Sequence, residues 1–303
     1  MTEPLFSGVG VALATLFDEG GEVDAKATAA HAATLADLGV RAVVVAGSTG
    51  EAAALTAGER ISLLTEIRRA VPAGVPVIAG TGAPSARQAA ALTRDARDAG
   101  ADAVLALCPP RSTDPRPYYE AVAEAAGDLP ALAYHFPQTS PPGIPVEALA
   151  DLPIQGLKDS SADPERLLAE LEVFQRPLWV GAAVLLLMAG SLATRGSLAA
   201  AGSGGAAGSA GGAGSGGTVG SGGAAGSAGG AGSGGTVGSG GVAGAVLAVA
   251  NVDPEHAIAA FAGDPAAQRA LFPAHNRVRT TFPHGLKDAI ADRFGTSRVT
   301  RLG

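Results

Sequence analysis

The chain has 303 residues, a formal net charge of −7, 47% hydrophobic residues and only 4% aromatics, enough for a large α/β domain with a core built mainly from Ala, Val and Leu. A negative balance without any Lys/Arg cluster excludes a nucleic-acid footprint. The single cysteine, Cys108, excludes an internal disulfide framework and fits a reducing compartment, the cytoplasm.

The opening MTEPLFSGVG carries an acidic residue and no basic stretch, so it does not read as a signal peptide. Valine-rich apolar runs then recur at 8–17 (GVGVALATLF), 41–48 (RAVVVAGS), 76–81 (PVIAGT) and 103–108 (AVLALC). They continue at 130–136 (PALAYHF), 154–159 (IQGLKD), 178–182 (LWVGA) and 244–251 (GAVLAVAN). Continuous runs of this length predict strands buried on both faces. Helical patterns with start signals separate them. Thr56 with Glu59 makes a capping box, and Asp163-Pro164 and Asp253-Pro254 place an N-cap before a first-turn proline. Eight strands alternating with helices predict a parallel (β/α)8 TIM barrel over 1–253. The segments 254–262, 264–280 and 284–294 read as helices only, a short C-terminal helical appendage over 254–303.

Two stretches depart from this pattern. Residues 178–194 are uncharged, at the short end for a membrane span. They read as a buried strand followed by a buried helix, so no membrane association is expected. Residues 202–219 (GSGGAAGSAGGAGSGGTV) are repeated without change at 220–237. This Gly/Ala/Ser-rich tract, taken as an insert over 196–243, has the composition of a flexible linker. Between the seventh helix and the eighth strand it is expected to be a loop on the face opposite the strand C-termini, where catalysis tolerates it.

The strand C-termini of such a barrel line one mouth. Strand two ends in Gly47, Ser48, Thr49, Gly50 and Glu51, two hydroxyls among exposed backbone N–H groups, suited to a carboxylate or phosphate. No GK[ST] or GxGxxG accompanies it. Strand five ends in Tyr134-His135-Phe136-Pro137 and strand six at Lys158, one of three lysines against eighteen arginines. A lysine can shed its proton and act as a nucleophile, which arginine cannot. Together these groups suit imine chemistry: the lysine attacks a ketone, the phenol moves protons and the hydroxyl turn holds the carboxylate of a 2-oxo acid.

GSTGE after strand two, the tyrosine of YHFP and GLKDSS on strand six closely resemble the dihydrodipicolinate synthase/N-acetylneuraminate lyase family of pyruvate-type class I aldolases. Thr15-Leu16-Phe17 resembles that family's usual Thr-Pro-Phe. The resemblance covers about 5–192 and 244–295. It implies that Lys158 forms a Schiff base, Tyr134 relays protons, and Ser48 with Thr49 binds the substrate carboxylate. Gly47 and Val246 complete the expected substrate-binding set. It also implies a lyase acting on a small 2-oxo acid, without cofactor or metal, as a homo-oligomer (dimer or tetramer).

The departures sharpen the expectation. Synthases of this family carry a tyrosine pair just after strand four, where this chain has Cys108-Pro109-Pro110-Arg111; Tyr118 and Tyr119 come later, on the next helix. They also carry an arginine shortly after the strand-five tyrosine, where this chain has Gln138-Thr139-Ser140. Both losses point to cleavage of a 2-keto-3-deoxy sugar acid or 4-hydroxy-2-oxoglutarate, with Arg111 as the substitute cation that would keep dihydrodipicolinate synthesis as the alternative. A barrel that has lost activity and serves as a scaffold is the alternative of another class. The chain stops soon after SRVTRL, where the family usually continues through a further helix, which bears on the expected tetramer. The five histidines show no ligand spacing such as HxxxH. Expected structural roles fall to His135, facing away from Tyr134; Cys108, a buried thiol; Lys287, on an amphipathic helix; and Glu51, holding its turn.

Overall fold

The computed structural model describes residues 3–202 and 241–302. Eight parallel strands close a barrel in chain order: β1 (Gly8–Ala12), β2 (Val43–Val45), β3 (Val77–Gly80), β4 (Ala103–Leu107), β5 (Ala131–His135), β6 (Gly156–Asp159), β7 (Leu178–Val180) and β8 (Val242–Leu247). Helices α1 (Ala25–Asp37), α2 (Ala57–Ala70), α3 (Ala86–Asp98) and α4 (Arg116–Ala126) follow the first four strands. After β6, β7 and β8 come α5 (Pro164–Val173), α6 (Leu186–Gly202) and α7 (Pro254–Phe261), and then α8 (Pro265–Thr280) and α9 (His284–Phe294) form the appendage.

The start signals work as read: Asp163 and Asp253 each accept a hydrogen bond from a first-turn N–H, and the Thr56–Glu59 capping box is formed in both directions. Asp24, Ser85 and Asp264 cap their helices in the same way. One connection differs from the alternating pattern. Between β5 and β6 the chain forms only a 3₁₀ turn, Val146–Asp151. The segment before it, PPGIP, is too rich in proline for an α-helix.

The stretch 178–194 resolves into β7, a 3₁₀ turn at Ala183–Leu185 and the start of α6. Among the described residues no helix is long and apolar enough to cross a membrane. Helix α6 runs on to Gly202 through Leu198-Ala199-Ala200-Ala201, strong helix formers. Strand β8 begins at Val242, two residues before the apolar run that announced it. The tandem repeat, and with it the expected loop on the opposite face, lies outside the described residues.

Apolar side chains form two layers. Inside the barrel pack Phe6, Ala42, Val44, Ile78, Leu105, Leu132, Tyr134, Trp179 and Val246. Alternate strand residues such as Val43, Val45 and Val104 face outward into the larger core beneath the helices. Phe6, just ahead of β1, stacks on Trp179 at 5.2 Å, and the Trp179 indole N–H donates to the Phe6 carbonyl at 3.2 Å. That pair fills the barrel floor and leaves the opposite end for polar groups. Asn251, fully buried after β8, donates to the Ala12 carbonyl (2.7 Å) and accepts from the Ala14 N–H (3.0 Å). It fixes the seam where the last strand meets the first.

Candidate active site

Tyr134 and Lys158 are register partners on β5 and β6, and strand alternation sends both side chains into the barrel. Each is almost wholly buried, at 6% and 5% exposure. The Lys158 Nζ lies 4.2 Å from the centre of the Tyr134 ring. Phe136 stacks on the other end of this arrangement, its ring 5.8 Å from that of Tyr134.

Ser160, two residues beyond Lys158 on the same face, donates its hydroxyl to the Tyr134 hydroxyl at 3.4 Å. Opposite stands Gly181. A Cβ there would sit 1.8 Å from Ser160 Oγ and 3.1 Å from Lys158 Cε, so only glycine leaves room for the lysine and its neighbour. Neither Ser160 nor Gly181 stood out from the sequence, although the two-residue period from Lys158 points directly to Ser160.

The strand-two turn lies at the same mouth. Gly47 caps a 3₁₀ turn over Ser48–Gly50, whose first internal bond is Gly50 N–H to Gly47 C=O at 3.0 Å. The N–H groups of Ser48 and Thr49 precede that bond and therefore have no partner within the turn. Both residues are half-buried. The Thr15 hydroxyl, at the end of β1, donates to the Gly50 carbonyl at 2.7 Å and ties the turn to the neighbouring strand. Val246 stays in the barrel-interior cluster with Tyr134, as its place on β8 requires.

The remaining candidates fall behind the strands or outside the mouth. His135 is turned into the outer layer, where its Nδ1 accepts from the Ile144 N–H at 2.9 Å. Burial, reinforced by the Arg166 guanidinium, pushes its pKa down to about 4. Asp159 lies on that same outer side, bonded to Ser161. Cys108 is fully buried, which raises its thiol pKa to about 11. Tyr118 and Tyr119 are on α4 and are committed elsewhere: Tyr118 accepts from the Ala83 N–H at 3.1 Å, and Tyr119 donates to the Ala106 carbonyl at 3.1 Å. Arg111 is exposed in the loop after β4, in a left-handed conformation at φ +62°. Gln138 reaches across to donate to the Ser161 carbonyl at 2.8 Å.

Lys287 is on α9 and structural, as expected, and the fold adds its partner: it is fully buried, 3.2 Å from the equally buried Glu51 carboxylate. Burial lowers its pKa, with Glu51 opposing. Among the described residues no three His, Cys, Asp or Glu side chains come together as a metal-holding group. A separate cavity of about 470 Å³ lies outside the barrel, between α1 and the end of α9, lined by Leu16, Asp24, His31 and Phe294.

The sequence pattern of the dihydrodipicolinate synthetase family matches residues 5–210. Among curated proteins, the chain is 39% identical over 164 residues to a DapA-like lyase of Halobacterium salinarum, covering 52% of this chain and 54% of the relative. It is 36% identical over 170 residues to a 4-hydroxy-tetrahydrodipicolinate synthase of Pseudomonas aeruginosa, covering 54% and 58%. The chain thus spans about half the length of the curated relatives it matches. In fold it is similar to YagE of E. coli K12, a dihydrodipicolinic acid synthase family protein solved with pyruvate, at a TM-score of 0.74 and 22% identity over 98% of this chain and 92% of that one.

Proposed function

Because the chain belongs to the dihydrodipicolinate synthetase family, we propose that it is a class I lyase that works on pyruvate-type 2-oxo acids through a Schiff base on Lys158. The observation that carries this reading is the buried lysine at the end of β6, set against a phenol and a hydroxyl in one apolar barrel mouth. The chain's other buried lysine, Lys287, is held by a carboxylate; Lys158 meets an aromatic face instead.

The chemistry follows from the arrangement. The Lys158 amine attacks the keto carbon, and the resulting carbinolamine hydroxyl, given a proton by Tyr134, leaves as water to form an iminium ion. That cation draws in the electrons of the bond between the next carbon and the hydroxyl-bearing carbon beyond it (C3–C4) as that bond breaks, giving an enamine and releasing an aldehyde. Tyr134 takes the proton from the hydroxyl that becomes the aldehyde and returns one to the enamine carbon. Hydrolysis then frees pyruvate and the lysine. The N–H groups of Ser48 and Thr49, which have no partner within the turn, receive the carboxylate together with the two hydroxyls. Gly47 shapes that turn, and Val246 supplies apolar wall.

Cleavage of a 2-keto-3-deoxy sugar acid or 4-hydroxy-2-oxoglutarate is the reading we favour over condensation of pyruvate with aspartate semialdehyde. Tyr118 and Tyr119 are occupied by backbone partners, and the stretch Gln138-Thr139-Ser140, where the resemblance leads one to expect an arginine for a second carboxylate, carries no charge. The names of the curated relatives support the synthase as second reading, with Arg111 as the available cation. Borohydride reduction tests the imine, and a comparison of kcat/KM across these substrates tests the choice between reactions.

A further inference from the structure

Glu51 closes the GSTGE turn in a left-handed conformation, φ +56°, that a non-glycine residue holds only under constraint. The constraint comes from the other end of the chain. One carboxylate oxygen accepts from the N–H groups of Arg301 and Leu302, both at 2.8 Å, and the other faces the Lys287 ammonium at 3.2 Å. Lys287 in turn donates to the carbonyls of Thr15 and of Val299, the latter at 3.0 Å. Thr15 donates to Gly50. Arg301 adds a hydrogen bond to the Ala54 carbonyl at 3.1 Å and an ion pair with Glu59 at 2.7 Å.

These contacts form a closed circuit: segment 297–302, Glu51, Lys287, Thr15 and Gly50. Two of its members, Glu51 and Gly50, belong to the turn whose free N–H groups line the mouth. We propose that Glu51 and Lys287 are positioning residues through which segment 297–302 orders the Ser48–Gly50 turn, so that the seated segment sets how tightly the turn holds a substrate carboxylate. The inference rests on the turn being the carboxylate site of the proposed function. Neither residue touches the reacting atoms. Their effect is on substrate affinity, and by linkage a bound carboxylate must tighten the segment as much as the segment tightens its binding.

Two variants test it. Glu51→Gln combined with Lys287→Met removes both buried charges together, leaving neither one unpaired. Deletion of residues 300–303 keeps the pair and removes the two backbone donors together with the Arg301 side-chain contacts to Gly21, Ala54, Glu22 and Glu59, which protects the test if the double variant fails to fold. In each, the pyruvate concentration for half-maximal borohydride trapping on Lys158 should rise about tenfold, within the usual range of coupling between sites. The maximal extent of trapping should stay that of the parent. In the parent, saturating pyruvate should also slow hydrogen exchange at the Arg301 and Leu302 amides. Unchanged half-saturation in a folded deletion variant, or exchange indifferent to pyruvate, overturns the coupling. A parent protein that yields no adduct at all overturns the functional reading and this inference with it.

Discussion

Lys158 Nζ sits 4.2 Å from the centre of the Tyr134 ring, and the two residues are paired in register on adjoining strands. The ring face and the phenol oxygen therefore offer different things. The face gives the amine an apolar, weakly attractive neighbour; the oxygen, bonded to Ser160, is the group that can move a proton. Tyr134→Phe separates the two. It should keep trapping of pyruvate on the lysine while lowering kcat by roughly 10²–10⁴-fold, the usual worth of a general acid–base group. Loss of both together in a folded variant would give the hydroxyl a different role.

Gly181 is a steric test of the same mouth. Alanine there would place its Cβ 1.8 Å from Ser160 Oγ and 3.1 Å from Lys158 Cε, forcing one of them to move. A displacement of this size can cost up to about 100-fold in kcat/KM. The β7 backbone should remain folded, as judged by circular dichroism. Activity equal to the parent's would mean that Ser160 and Lys158 are not held as described.

The outer side of β6 carries a charge imbalance. Asp159 and Glu170 share one guanidinium, Arg166, whose Nε lies 2.8 Å from Glu170 without hydrogen-bond geometry. Burial, helped by Asp159, raises the Glu170 pKa from 4.5 to about 8. The folded chain thus keeps a proton that the unfolded chain loses, so this stabilisation is complete below about pH 4.5 and is lost as pH rises towards 8. Glu170→Gln has no such proton to lose. Its stability relative to the parent should climb across that window by a few kcal/mol at most, seen as diverging urea midpoints. His31 and His135, each lowered to about 4 by burial, act in the opposite direction between 4 and 6.5, but they are common to both proteins and cancel. Parallel pH profiles would place the Glu170 proton elsewhere.

Substrate choice depends on what can meet a second carboxylate. Thr139 carries no charge, its neighbour Gln138 is engaged by the Ser161 carbonyl, and Pro110 has no side-chain proton to relay. A site built for polar contacts that are absent discriminates strongly. Cleavage of a 2-keto-3-deoxy sugar acid or 4-hydroxy-2-oxoglutarate should therefore exceed condensation with aspartate semialdehyde in kcat/KM. A clearly faster semialdehyde reaction would assign the second carboxylate to Arg111 and make the synthase the function.

The barrel was legible because a strand buried on both faces leaves a continuous apolar run, and all eight runs became strands. The C-terminal helices were legible as helical patterns without strand runs between them, and the Asp253-Pro254 start marks where the first of them begins. Tyr134 and Lys158 could be brought together because each ends such a run, and barrel closure sends run ends to one mouth. Lys287 could not be read this way. HGLKDAIADRF shows an amphipathic helix and a structural lysine, but nothing in it names the partner, Glu51, which lies far earlier in the chain. Only the fold-back of α9 and the segment after it makes the pair. The β5–β6 connection departs from the expected alternation because the prolines at 141, 142 and 145 bar an α-helix there, which the strand count alone does not weigh.

The central claim is that Lys158 acts as an amine. Incubating the protein with pyruvate and sodium borohydride, then locating the adduct by intact-mass and peptide analysis, tests it most directly. The account predicts one reduced pyruvyl adduct, on Lys158, absent from Lys26 and from the ion-paired Lys287. It also predicts no adduct in Lys158→Arg. Failure to trap pyruvate, or an adduct that survives that substitution, would contradict it.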